Sequence, residues 1–337
     1  MRNETRIAFN DYTAHVAKLN GVPSAAVKFN VTPAIQQRLE AKIRESAALL
    51  AKINLVGVVD QQGEALSLGT KGPGAGRTNT AAGNRRNPVS RTSLEKDAYN
   101  CVKTDFDTAF LYAEVDQWAA HPEFQTLLTA AITDQQALDR IMIGFNGTSA
   151  AAATDLAANP MLQDVNIGWI QKIRIGAPTR VMDEGKVAGK VTIGPTGDYL
   201  SLDSLVYDAV SQLDPWHQKR PDLVVMVSRN LMHSKLLKAV DKGAKSNEEE
   251  NAAGDILARA RLGGLPVEDA PFFPDGTVLI TTLKNLSIYY QTGSRRRHLK
   301  DEPEFDRIAD YQSSNDAYVI EDLGLVSLVE NIVEEAA

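Results

Sequence analysis

The chain of 337 residues is 43% apolar and 23% charged, the balance of a globular protein long enough to bury one large core or two ordinary ones. A formal charge of −7 argues against a general nucleic-acid binder, and the lone Cys101 excludes an intrachain disulfide and a cysteine-rich zinc site. No run is apolar for long enough to cross a bilayer, and MRNETRIAFNDY lacks a signal-peptide core, so the expectation is a cytosolic product with no membrane partner.

Residues 3–19 have the spacing of a short amphipathic helix, with Ile7, Tyr12, Val16 and Leu19 on one side, ended by Gly21 and Pro23. Thr32 suits an N-cap and Pro33 a first helical position, and the helix that follows carries Ile35, Leu39, Ile43, Leu49, Leu50 and Ile53. Residues 1–31 therefore read as a terminal appendage behind a weak hinge, open to trimming. From Asn54 to Trp118 two strand-like runs, LVGVVD with GEALSLG and then YNCVKTDFDTAFLYAEV, flank GTKGPGAGRTNTAAGNRRNPVSRTS. This middle stretch has hardly any large apolar side chain and no acid between Glu64 and Glu95. It cannot bury enough apolar area to order itself. Two readings stand: an arm that docks on a neighbouring molecule, with Arg77, Arg85, Arg86 and Arg91 as contacts, or an insertion with no partner.

The most strongly patterned stretch runs from His121 to Gly147. Pro122 fits the first helical position and Glu123 the positive end of the dipole. Phe124, Leu127, Leu128, Ala131, Ile132, Leu138, Ile141, Met142 and Phe145 recur at three- and four-residue steps, which places them on one core-facing side. Thr126, Thr129, Thr133, Asp134, Gln136, Asp139 and Arg140 fill the other side, and Gly144 and Gly147 are expected to end a rod roughly 33 Å long.

In the second half, Asn159-Pro160 punctuates a small-residue loop, and Leu162 to Ile173 form a second helix or a tight packed turn. Residues 181–197 have β-hairpin texture, and Asp198 or Ser201 caps a helix over LDSLVYDAVSQL. PDLVVMVS reads as a strand buried on both faces, followed by a helix, RNLMHSKLLKAV. A polar loop with Glu248, Glu249 and Glu250 leads to a short helix (ILARA), a turn (LGGLP) and strands TVLITTL and LSIYYQTG. Arg295, Arg296, Arg297 and His298 face Asp301, Glu302, Glu304 and Asp306, and DAYVIEDLGLVSLVENIV is two strands or one long bent one. The fold class is α+β with a mixed sheet.

Catalysis has no foothold in this pattern, and no catalytic, cofactor or metal site is expected. GPGAGRT has three residues, not four, between Gly72 and Gly76, sets Arg77 where a Walker lysine belongs, and opens no helix. His121 and Glu123 lack the cysteine pair of a zinc deaminase, and the histidines at 15, 121, 217, 233 and 298 show no ligand spacing. There is no G-x-S-x-G elbow, and Cys101 reads as a small buried hydrophobe. The basic tip and Arg295–Arg297 admit nucleic-acid phosphates or an acidic surface of another subunit as partner. Missing aromatic interleaving and overall acidity favour the second, with a nucleic-acid-binding module using the tip as the alternative function.

Several strings taken together resemble a known family: Met1-Arg2 with Glu4-Thr5-Arg6, Phe9-Asn10, Leu19-Asn20-Gly21, Gly144-Phe145-Asn146-Gly147 and Asn159-Pro160-Met161-Leu162-Gln163-Asp164-Val165. Gly168-Trp169, Ala177-Pro178, Arg180-Val181-Met182, Gly197-Asp198-Tyr199, Pro221 to Val225, Gly264-Leu265-Pro266 and Leu286 to Tyr290 continue the likeness over nearly the whole chain. It is similar to the P2-like branch of the major capsid proteins of tailed bacteriophages; the loop tip, 71–93, departs most from the pattern. The resemblance implies an HK97-like fold: an N-terminal segment 1–31 of the kind relatives lose to a prohead protease, an N-arm helix 32–53 and an extended hairpin loop 54–118. A peripheral domain with the spine helix would cover 119–198, an axial α/β domain 199–298, and return strands with the C-terminal tail 299–337. It implies hexamers and pentamers assembled on a scaffolding protein into an icosahedral shell around double-stranded DNA, with portal and head-completion proteins. The implied place is the virion, assembled in the bacterial cytoplasm; no enzyme activity and no covalent crosslink between subunits are implied.

Overall fold

The N-terminal segment is packed into the body of the protein rather than hung from it, as a computed structural model describing residues 1–70, 75, 77–80, 85–86, 92–118, 124–233, 235 and 261–334 shows. Helix α1 (Asn3–Asn20) turns inward Thr5, Phe9, Tyr12 and Val16, whereas Ile7 and Leu19 stay 63% and 53% exposed. Steps of four, three and four keep one helical stripe, while Ile7 to Tyr12, five apart, swings about 140° around the axis. Gly21 closes the helix at φ +64. Strand β1 (Phe29–Asn30) then forms the edge of the main sheet, and Val31 N–H donates to the Arg295 carbonyl at 2.9 Å. The expected appendage is therefore part of a core, with Phe110, Val115, Leu128, Ile132, Leu299 and Ile308 against it.

Pro33 opens α2 (Pro33–Ser46), which runs through α3 (Ala48–Lys52) into β2 (Asn54–Val58). Strands β3 (Gln62–Thr70) and β4 (Thr92–Asn100) pair antiparallel from Gln62↔Asn100 to Thr70↔Thr92. After β5 (Val102–Asp105) and β6 (Thr108–Leu111) the chain coils into α4 (Tyr112–Trp118), where an extended run was expected. The Glu114 carboxylate accepts from the Leu111 N–H at 3.2 Å, a helix-start contact that strand patterning does not register.

Helix α5 (Phe124–Asn146) leads through turns to α6 (Trp169–Gly176), β7 (Val181–Met182), β8 (Val191–Ile193) and α7 (Leu202–Ala209). Ser201, not Asp198, caps α7 in a capping box with Ser204. There follow β9 (Val224–Val227), β10 (Arg261–Leu262), β11 (Leu265–Glu268), β12 (Val278–Thr281) and β13 (Leu286–Gln291). The chain ends through β14 (Arg296–Glu302), β15 (Arg307–Ile320), β16 (Ser327–Val329) and β17 (Ile332–Glu334). Residues 229–233 are helical, as expected after β9; the ILARA helix and the Glu248–Glu250 loop lie outside the described residues.

One sheet has the order β1-β14-β15-β13-β2, with β5 and β6 also on β15; the other runs β10-β11-β9-β12-β16-β7. Strand membership thus ignores a division at residue 298, since β13 and β14 join the first sheet while β7 and β16 complete the second. In the expected 181–197 hairpin only the Val187↔Lys190 bridge pairs the segment with itself, while β7 lies on β16 and β8 on β17. After the long passage from β6 to β7 through the helices, the chain crosses between the sheets at two short turns, Leu283–Asn285 and Leu323–Leu325. Asn285 fastens the two crossings, donating from Nδ2 to the Asp322 carbonyl at 2.9 Å and accepting the Asp322 N–H at 2.7 Å.

Candidate assembly interface

The side of α5 that reads as polar in sequence is turned inward over its second half. Gln136 and Arg140 are buried, whereas Leu138 is 36% exposed and does not belong to the helix core. At 100° per residue, Leu138 lies roughly 200° around the axis from Arg140, on the outer face with Asp134 and Gln135. Of the other expected core residues, Leu128 and Ile132 pack under α1, Ile141 and Phe145 enter the main cluster, and Met142 is half-buried. The side chains of Phe124 and Leu127, like residues 121–123, lie outside those described. Gly144 does not end the helix. A Cβ there would lie 2.3 Å from the Trp169 ring, so its bareness admits the indole; the helix stops at Asn146, just before Gly147.

Arg140 makes a bidentate pair with Glu40 of α2, one bond at 3.1 Å, and reaches Asp316 of β15 from Nε at 3.1 Å. Arg295 donates to Glu40 at 2.9 Å, to Gln312 at 3.0 Å, and to Gln136. Arg297 extends the network, holding Asp310 at 2.7 Å and the Tyr12 hydroxyl of α1 at 2.8 Å. Burial opposes the charge on Arg140, but Asp316 and Glu40 outweigh it and raise its pKa. Burial likewise opposes ionised Glu40, and the guanidiniums of Arg140 and Arg295 reverse the balance and hold it below the usual carboxylate range. Three cations and three carboxylates thus tie α1, α2, α5, β14 and β15 into one rotational setting, since each Arg fork fixes the plane of its partner. Arg295 and Arg297, expected on a basic surface, are spent inside the molecule; of that run Arg296 alone is exposed.

The β3–β4 hairpin is locked at its root. Cys101 N–H donates to the Gln61 carbonyl at 2.8 Å, and Thr292 N–H donates to Val58 at 2.7 Å. A Cβ on Gly63 would sit 2.6 Å from the Tyr99 hydroxyl, so the glycine lets that ring lie flat on the strand. Tyr99 meets Tyr289 edge-on at 5.2 Å, over buried Cys101, Ala317 and Val319. Burial, aided by the charge of Asp316, pushes the Cys101 thiol up to about 12, the inert state of a structural cysteine. Beyond the root, β3 and β4 pair only with each other among the described residues. At about 3.4 Å per residue the hairpin is on the order of 30 Å long. Arg77, Arg85 and Arg86, between its strands, are exposed and make no ion pair with another described residue; Arg91 lies outside the described residues.

A cleft of about 490 Å³ opens on the outer face of the first sheet, lined by Lys28, Arg296, His298, Lys300 and the Lys103–Asp105 pair. Arg297 lines it as well, and Asp107 is its second carboxylate beside Asp105. Among the described residues no group of three or more His, Cys, Asp or Glu could hold a metal ion, and no helix is long and apolar enough to cross a membrane.

The family model described as "Phage major capsid protein, P2 family" matches residues 8–332. The major capsid protein of Serratia phage KSP20 is 44% identical, covering 98% of this chain and 97% of that one. The capsid proteins of Escherichia phage P2 are 43% identical over 98% and 95% of the two chains. A satellite phage P4 procapsid that includes a size determination protein superposes with a TM-score of 0.82 at 39% identity, covering 99% of both chains. The capsid of an empty GTA particle, 16% identical, matches over 86% of this chain and 90% of that one with a TM-score of 0.52, which speaks for the fold alone. The fold is the HK97-like capsid fold, these relatives are structural proteins of capsids, and nothing in them supports a nucleic-acid-binding module. The chain belongs to the P2 family of phage major capsid proteins.

Proposed function

We propose that this capsid subunit of an icosahedral phage shell joins its neighbours by laying the basic tip of the β3–β4 hairpin on an acidic surface of an adjacent copy. The observation that carries this reading is the hairpin itself: nine residue pairs with no further strand beside them among the described residues, on a root fastened to β13 and β15. A two-stranded hairpin is marginal in water by itself, so a docked neighbour supplies what its own chain does not. In this reading α5 is the spine, and the buried charge network holds hairpin and spine at one angle. The sheet containing β2, β13, β14 and β15 serves as the peripheral domain and the sheet around β9 and β12 as the axial domain.

Scaffolding protein, portal and head-completion proteins and packaged double-stranded DNA are the further partners, met during assembly in the bacterial cytoplasm. The segment 1–31 is the part a prohead protease would remove, since it reaches the rest of the chain through extended Thr32. Intact-mass measurement of mature particles tests that step: loss of Met1 through Val31 supports it, and full-length subunits in the finished shell reject it. Docking is tested by reversing charge at Arg77, Arg85 and Arg86 to Glu. The expected outcome is a subunit with unchanged melting that yields no closed shells; normal shells at normal yield would refute the tip contact.

A further inference from the structure

One nitrogen of His217 has two claimants. Trp216 donates its indole N–H to His217 Nε2 at 3.0 Å, and Asp322 Oδ2 stands 3.1 Å from the same atom. An indole nitrogen only donates, and an ionised carboxylate only accepts. Neutral Nε2 has one lone pair, which suits Trp216 and sets the imidazole lone pair against the carboxylate oxygen. Protonated Nε2 has one N–H, which suits Asp322 and leaves the Trp216 N–H without an acceptor. Proton content therefore selects the partner, and imidazole is the side chain that ordinarily changes charge between about pH 5 and 8.

We propose that His217 is a proton-operated switch at the junction of the two sheets, exchanging Trp216 for Asp322 as it takes up a proton. In the neutral form the ring hydrogen is on Nδ1. Uptake of one proton from solvent at Nε2 makes the imidazolium, whose new N–H donates to Asp322 Oδ2, and the indole N–H passes to water. His217 is buried, and Trp216 is 46% exposed, with water beside its indole.

The charged groups around the ring favour that exchange. On its own loop Asp222 is paired with Arg220 at 2.7 Å, and Asp214 with Arg180 from the turn after α6 at 2.6 Å. Asp322, from the crossing after β15, pairs directly with His217 and also feels the charge of Arg220; its other oxygen accepts the Gly324 N–H at 2.7 Å. The same residue holds Asn285 through its backbone, so a new pull on its carboxylate bears on both short crossings between the sheets. Acidification would thereby reset one sheet against the other from within a single subunit.

The test is the indole N–H spectrum of the unassembled full-length chain from pH 8 to pH 5. One cross-peak, missing in Trp216→Phe, is expected to move upfield as its hydrogen bond is lost. The Trp169 indole, buried and donating to the Ser287 carbonyl at 2.9 Å, is the fixed reference and the check that variants fold. The shift is expected to vanish in His217→Gln. A Trp216 signal that stays in place over the range, or one that moves identically in His217→Gln, overturns the switch.

Discussion

Arg140 shows what a single residue can conceal. Its sequence neighbours set it on a polar stripe, and it is polar, but its solvent is Glu40 and Asp316. These partners are 100 and 176 residues away in the chain, beyond the reach of any local pattern. Truncating one member of a buried ion network strands the others without water. Arg140→Met is therefore expected to cost about 3–5 kcal/mol in urea unfolding, against within about 0.5 kcal/mol for Arg296→Met at the surface. Equal costs would mean the network is solvated. Asp198 carries a pH signature of its own. Hydrogen bonds from the backbone of Lys186 and Thr192 hold its pKa down to about 2. A depressed carboxylate stabilises the fold above its ordinary value and loses that effect as pH falls through the folded value. The 185–198 loop should thus stay closed at pH 4 and loosen toward about pH 2, and in Asp198→Asn the Lys186 and Thr192 amides should exchange faster at neutral pH. Protection that is the same in the variant would remove Asp198 from this role.

Elements were legible where one periodicity ran unopposed. Residues 33–52 are helical except for a break at extended Ala47, with Ile43, Leu49, Leu50 and then Ile53 inward, as their spacing suggests, and LGGLP turns through Gly263 and Gly264 at φ +55 and +87. Runs of mixed texture misled: YAEV is helical because Glu114 caps it, and the 181–197 strands take partners from the far end of the chain. The inward face of α5 was half legible, since Leu128 and Leu138 look alike in sequence and lie on opposite sides of the burial boundary. Leu128→Asp is expected to abolish the cooperative melt by placing a charge between α1 and α5, and Leu138→Asp to leave the melting temperature nearly unchanged. If both variants melt alike, the orientation of α5 is wrong.

At the scale of the whole molecule, the family and its HK97-like fold were visible from the sequence, but the sorting of strands into two sheets was not. That sorting depends on pairings such as β16 with β7 and β13 with β2, between segments far apart in the chain. The same long-range closure gives residues 1–31 their groove, where Phe9, Tyr12, Val16 and Phe29 are buried at roughly 1.5–3 kcal/mol apiece. Cutting the folded chain at an engineered site after Val31 and washing out the segment should lower the melting temperature and raise binding of an apolar dye. Neither change would mean that the groove closes by itself. The account's central claim is that the root and spine make the subunit, while the hairpin tip makes the shell. Electron microscopy of a chain lacking Gly72–Asn87, expressed with its phage assembly partners, tests this most directly. The account predicts a folded subunit with native melting and no closed particles; closed shells of normal size built from that deletion would contradict it.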